Sequence, residues 1–152
     1  MKANYLQHLG VFAVLAFLFN FVWETLHGAY LYQQCFGVVV SKLSPRSFAL
    51  LVLKAAVLDM LILTLIILVG RAIFLDRNWF LSMNKKRWGY VVAATVITAL
   101  LIEVGAVYLL AEWSYSRLMP TLFGIGVSPL LQLLVTALMS IGIMKVIKRS
   151  DQ

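Results

Sequence analysis

Charge is scarce in this chain: of 152 residues, 12% are Asp, Glu, Lys or Arg, while 62% are hydrophobic. An ordinary soluble domain has about a quarter of its residues charged. With a mean hydropathy of +0.94, a compact soluble protein could not hide its apolar surface behind so few charges. A soluble enzyme, a nucleic-acid binder and a disordered linker are thereby excluded. Cysteine is nearly absent too, since Cys35 stands alone. An internal disulfide and dithiol redox chemistry within one chain are impossible. The two histidines, His8 and His27, form no zinc-like spacing with that cysteine. No internal repeat, low-complexity tract or soluble domain is apparent.

What the chain does have is long apolar runs. A bilayer core about 30 Å thick needs roughly 20 apolar residues of helix. Four stretches meet that length, at about 9–32, 48–70, 88–111 and 122–144. The expectation is an all-α polytopic membrane protein: one four-helix domain covering 1–152, with no nucleic-acid partner. Pro120, Gly124, Gly126 and Pro129 interrupt the approach to the fourth span. Residues 118–128 should therefore be irregular or re-entrant. Lys2 before an apolar run imitates a signal peptide. The run is too long, and no small-x-small cleavage site follows it, so a retained first helix is expected.

Orientation follows from the basic residues. Lys2, Arg71, Arg77, Lys85, Lys86, Arg87, Lys145, Lys148 and Arg149 fall on one side, and Lys42, Arg46 and Arg117 on the other. The positive-inside rule then puts both termini in the cytoplasm. The loop from Arg71 to Arg87 carries Trp79, Phe80 and Leu81, which suit a position along the cytoplasmic headgroups.

Ionisable groups within a bilayer cost several kcal/mol unless partnered or functional. Asn20, Glu24 and His27 share one face of the first span. Asp59 lies on the second, Glu103 on the third with Ala99 and Ala106 on its stripe, and Gln132 on the fourth above Thr136 and Ser140. At about 1.5 Å per residue, Glu24 and Glu103 lie roughly 12 Å inside the outer ends of their spans, and Asp59 roughly 16 Å inside its own. Polar groups arriving at matching depth from four helices predict one shared pocket. Lys54 is about 140° from Asp59 around the helix, so both cannot face its centre. Asp59 is assigned inward, and Lys54 can either turn inward or snorkel to the headgroups.

Glu24, Asp59 and Glu103 are candidate acid/base groups, with His27 as a proton relay. Asn20, Trp23, Trp113, Tyr115, Met119 and Gln132 are candidate ligand contacts. Helix–helix hydrogen bonding is the plainer alternative for the carboxylates and the Gln132 stripe, and interface anchoring for Trp113 and Tyr115. Glu24-x-x-His27 matches half of a di-metal bundle motif, but such bundles need two motifs and further carboxylates. No metal and no cofactor is expected.

The segments Asn20-x-x-Trp23-Glu24 with Leu31-Tyr32, and Trp113-x-Tyr115-x-x-x-Met119-Pro120 running on to Gly124-x-Gly126-x-x-Pro129-x-x-Gln132, resemble a group of small bacterial four-helix inner-membrane proteins. The resemblance covers most of the chain and implies a multi-pass protein of the bacterial inner (cytoplasmic) membrane, but it transfers no activity. In layout alone the chain is similar to four-helix membrane enzymes that isomerise or cyclise lipids through carboxylates. It is similar in the same sense to small multidrug-resistance transporters with a glutamate in the first helix. Three functions are therefore weighed. One is a membrane enzyme or binding protein for a lipidic or isoprenoid-like molecule. The others are a proton-coupled transporter of small solutes working as a homodimer, and an accessory subunit of a larger complex. Membrane lipids and a hydrophobic small molecule are the expected partners.

Overall fold

The computed structural model describes residues 5–150, with side chains through residue 147. Lys2 lies outside the described residues, as do the side chains of Lys148 and Arg149, so these positive charges are placed by sequence alone. Four helices are long and apolar enough to cross a membrane: Tyr5–Leu31, Pro45–Phe74, Lys85–Leu109 and Val127–Ile147. The molecule is an all-α polytopic bundle.

Helix α1 (Tyr5–Leu26) passes directly into a π-helical turn, His27–Leu31. Strands β1 (Tyr32–Cys35) and β2 (Val38–Val39) follow as a hairpin, and α2 (Pro45–Phe74) returns across the bundle. Helix α3 (Lys85–Val104) likewise ends in a π-helical turn, Gly105–Leu109. Then come β3 (Ser114–Tyr115), a small hairpin of β4 (Thr121–Leu122) and β5 (Ile125–Gly126), and α4 (Val127–Ser150). Strand β1 is central in a three-stranded antiparallel sheet of order β2-β1-β3. Tyr32 pairs with Tyr115 and Gln34 with Ser114.

The spans differ from the apolar runs for local reasons. Ser44 caps α2 by accepting from the Ser47 amide at 3.2 Å, with Pro45 in the first turn. Asn84 caps α3 by accepting from the Arg87 amide at 3.0 Å. Capping satisfies orphan amides, so both helices begin before their apolar stretch does. The fourth span starts at Val127 rather than 122. Phe123 and Gly124 take positive φ (50° and 75°), which closes the β4–β5 turn and cannot continue a helix. The irregular stretch expected over 118–128 is thus largely this hairpin.

Two further expectations change. Trp79 and Phe80 do not lie along headgroups but are fully buried, with Leu81 nearly so. Helix α2 runs on to Phe74, which shortens the loop and folds it inward. The Trp79 indole donates to the Ile67 carbonyl at 3.0 Å, and its ring lies against Gly70. A Cβ added there would come within 2.3 Å of it. An internal repeat is also present at the level of elements. Each half of the chain runs helix, π-helical turn, strand and return helix, in the same direction through the bundle. Glu24 precedes Gly28-Ala29-Tyr30-Leu31 in one half, and Glu103 precedes Gly105-Ala106-Val107-Tyr108-Leu109 in the other. Connections of unequal length hide the correspondence in a linear scan.

Helix α1 packs closely on α2 and α4, and α3 on α4, whereas α2 and α3 barely touch. The apolar core fills the end of the bundle nearer the termini, around Phe12, Leu63, Ile67, Trp79, Phe80 and Ile141. The strands close the opposite end.

Candidate functional site

The thin seam between α2 and α3 opens into a cavity of about 390 Å³. Carboxyl groups from three helices line it: Glu24 of α1, Asp59 of α2 and Glu103 of α3. From α4, Gln132 completes the set, with its Nε2 2.6 Å from Glu24 Oε1, 2.6 Å from Asp59 Oδ2 and 3.1 Å from Asn20 Oδ1. One amide nitrogen with two hydrogens thus serves three acceptors. It holds the first two carboxyls side by side. Asn20 is fully buried and donates its own Nδ2 to the Ala16 carbonyl at 2.9 Å. The helical spacing of Asn20 and Glu24, four residues apart, explains why both reach Gln132.

Glu103 is 2% exposed. Its Oε2 accepts from the Tyr115 hydroxyl, so a residue of β3 reaches down to a carboxyl of α3. Burial, followed by donation to Glu103, holds that phenol above its ordinary range. Three small side chains, Ala55, Ala99 and Ala106, line the cavity and help leave the space open. Tyr32, Phe36 and Trp113 supply an aromatic wall beneath the strands. Tyr32 and Trp113 stack edge to face, 6.0 Å between ring centroids. Leu58, Leu101 and Leu110 line the cavity and are also 41%, 67% and 66% exposed, so its mouth opens sideways through the seam.

Not every candidate residue reaches this cavity. His27 is buried, but it faces Trp23 and Ser128. Its Nε2 is 2.6 Å from Trp23 Nε1 and 2.8 Å from Ser128 Oγ. An indole N–H only donates, so Nε2 accepts and the ring proton sits on Nδ1, which is buried without a partner among the described residues. No hydrogen bond joins His27 to the carboxyls, and neither His27 nor Trp23 lines the cavity. Tyr115 acts through Glu103, and Met119 is buried beside the strands without lining the cavity. Lys54 is exposed, with Nζ 4.0 Å from the Phe36 ring centroid.

Sequence reasoning passed over Tyr32, Phe36, Cys35 and Glu112, all of which line the cavity. The three small residues were the available signal for an open space, and two of them, Ala99 and Ala106, stood on the Glu103 stripe. Tyr32 also borders a second, more polar cavity of about 460 Å³ with Gln33, Ser41, Phe48 and Arg117. It forms the wall between the two. Burial pushes the Cys35 thiol from 9.0 up to about 12, with the nearby acidic groups adding to it. No three His, Cys, Asp or Glu among the described residues are grouped to hold a metal ion. Compared with known proteins, the chain matches no family model, no curated protein and no solved structure.

Proposed function

We propose that this is an integral protein of the bacterial inner membrane, with both termini cytoplasmic, that holds a lipidic or isoprenoid-like small molecule in the carboxyl-lined cavity. Under that orientation the cavity lies in the outer half of the bilayer. The observation that carries the proposal is the meeting of Glu24, Asp59, Glu103 and Gln132 in one space whose mouth opens between α2 and α3. Helix-to-helix bonding would need no space between the groups. A lateral mouth lined by leucines favours a molecule already dissolved in the bilayer, since its apolar part need never cross water. The carboxyls can then bind its polar end or exchange protons with it, as general acid/base groups do when within hydrogen-bond reach of the reacting atom. Acid/base turnover would make the protein an isomerase- or cyclase-type enzyme; holding the molecule would make it a binding protein.

The alternative of a proton-coupled transporter needs polar access from both sides. The end nearer the termini is filled by apolar side chains around Trp79 and Phe80, which argues against a route through one chain. An accessory-subunit role would leave the cavity without an occupant.

Native mass spectrometry of the protein released from mild detergent, beside Glu24→Gln, tests the reading. A discrete bound mass in the wild type, reduced in the variant, is expected. A bare chain in both samples would overturn it.

A further inference from the structure

The chemistry of the cavity wall narrows what it can hold. Each carboxyl has one oxygen engaged: Glu24 Oε1 and Asp59 Oδ2 with Gln132, and Glu103 Oε2 with Tyr115. No described residue donates to the second oxygen of any of the three. Glu103 makes the strongest case, because it is 2% exposed overall and lines the cavity. Against these three open acceptors, the side-chain donors of the lining without a partner among the described residues are the Tyr32 hydroxyl, which can also accept, and the weak Cys35 thiol, while the unpaired Trp113 Nε1–H is itself buried. A ligand that matches this balance must bring more donors than acceptors.

Charge points the same way. Glu112 adds a fourth acid to the lining, and no lysine or arginine belongs to it. Three aromatic rings complete the wall, and ring faces attract cations. The protein already demonstrates that preference, since the ammonium of Lys54 sits 4.0 Å from the Phe36 centroid at the margin of the cavity.

We infer that the cavity is a site for a hydrophobic ammonium, its N–H groups directed to Glu24, Asp59 and Glu103 and its hydrocarbon tail leaving through the seam between α2 and α3. An ammonium has three N–H donors and no acceptor, one for each open oxygen. The tail passes Leu58, Leu101 and Leu110 into the surrounding lipid. This inference rests on the proposed lipid-facing binding site and goes beyond it by fixing the sign of the ligand's charge. Anionic lipids and phosphorylated isoprenoids would meet four acids in the lining, against the single Lys54 ammonium at its margin.

The test uses the full chain in nanodiscs of zwitterionic lipid and three probes with the same tail: dodecylamine, dodecanol and dodecanoate. Saturable binding is read by tryptophan fluorescence and native mass spectrometry at pH 7. Dodecylamine should bind at least tenfold more tightly than dodecanol, with no saturable binding of dodecanoate. Glu103→Gln and Asp59→Asn should each weaken dodecylamine at least tenfold and leave dodecanol within about twofold. If dodecanol or dodecanoate binds as well as the amine, the cationic assignment falls while the lipid-binding site stands. If none of the three binds, both fall. The ranking of the probes on the wild type needs no variant, so a misfolded variant cannot rescue or sink the assignment.

Discussion

The two ends of this bundle treat their polar groups in opposite ways. Near the termini, two packed aromatic side chains bond to backbone: Trp79 Nε1 donates to the Ile67 carbonyl at 3.0 Å and Tyr90 to the Ile66 carbonyl at 2.8 Å. Arg87 donates to the Trp79 and Ser82 carbonyls at 3.2 and 2.7 Å, and side-chain pairs such as Arg87 with Asp76 at 3.0 Å and His8 with Asn78 at 3.2 Å lie beside them. The partner of each of the two aromatics is a fixed carbonyl, and aromatic rings fill the space between. Beneath the strands, side chains bond mainly to other side chains across helices, around Gln132 and Tyr115. The space between them stays open. A bond to backbone locks a ring in place, whereas a bond between two side chains leaves one oxygen of each carboxyl to spare. One end is therefore built to be closed and the other to be occupied. Inside a bilayer, where lipid is as apolar as leucine, close contact rather than hydrophobic burial holds helices together. Stability should accordingly concentrate at the closed end.

Removing one tryptophan from each end breaks the comparison most directly. Trp79→Ala should cost about 3–5 kcal/mol, the usual loss for a fully buried ring. Trp113→Ala, which enlarges an existing cavity, should cost about 1–2 kcal/mol, at or below the low end of the same series. Unfolding in mixed micelles followed by circular dichroism measures both. Equal losses would refute the idea of one closed and one open end.

The next largest effect concerns Cys35 under the strands. With burial pushing its thiol from 9.0 up to about 12, little thiolate is present at pH 8, and the thiolate is the form that alkylates. Raising the pH toward 12 increases the reactive form, so labelling should accelerate with pH well beyond the range of an ordinary thiol. Iodoacetamide at pH 8 should react at least about a hundredfold more slowly with folded than with unfolded protein. Rapid labelling of the folded chain would mean that the strands do not seal that end against water.

Gln132→Ala sharpens the contrast from the other side. It leaves Asn20 Oδ1 buried with only a 3.4 Å contact from Thr136 Oγ1 and removes the donor that Glu24 and Asp59 share. A loss of about 1–3 kcal/mol is expected, the cost of stranding a buried polar group, again measured by unfolding in micelles. The smallest effects serve as a control. Ser44→Ala removes the cap of α2 at the strand end and Asn84→Ala that of α3 at the other, and each should cost about 1 kcal/mol. Unequal cap losses would show that the difference between the ends extends to helix termini, not only to what lies between the helices.

The spans and the inward carboxyls were legible in the sequence because their signals are local. An acid in an apolar run is conspicuous, and Asn20 and Glu24 share a helical face by spacing alone. Gln132 stood out for the same reason. The aromatic wall was not legible. Tyr32 and Trp113 have the composition of interface anchors, and only the pairing of β1 with β3, some eighty positions apart in sequence, turns them toward the cavity. Trp79 misled in the same way: aromatic and basic residues side by side fit a headgroup position, and nothing local reports that Gly70 leaves a slot for the indole. His27 sat on the expected face of α1, yet the π-helical turn that begins there carries it to Ser128.

Those two π-helical turns, His27–Leu31 and Gly105–Leu109, set the phase of everything beyond them. Each turn holds one more residue than an α-helical turn would, and one residue corresponds to about 100° of rotation. Without the extra residue in either half, the chain would leave its helix pointing a quarter-turn or more away, and β1 and β3 would no longer meet edge to edge. The roof of the cavity is therefore a matter of count as much as of composition. A single-residue deletion in either turn would misalign it while leaving every residue of the roof in the chain.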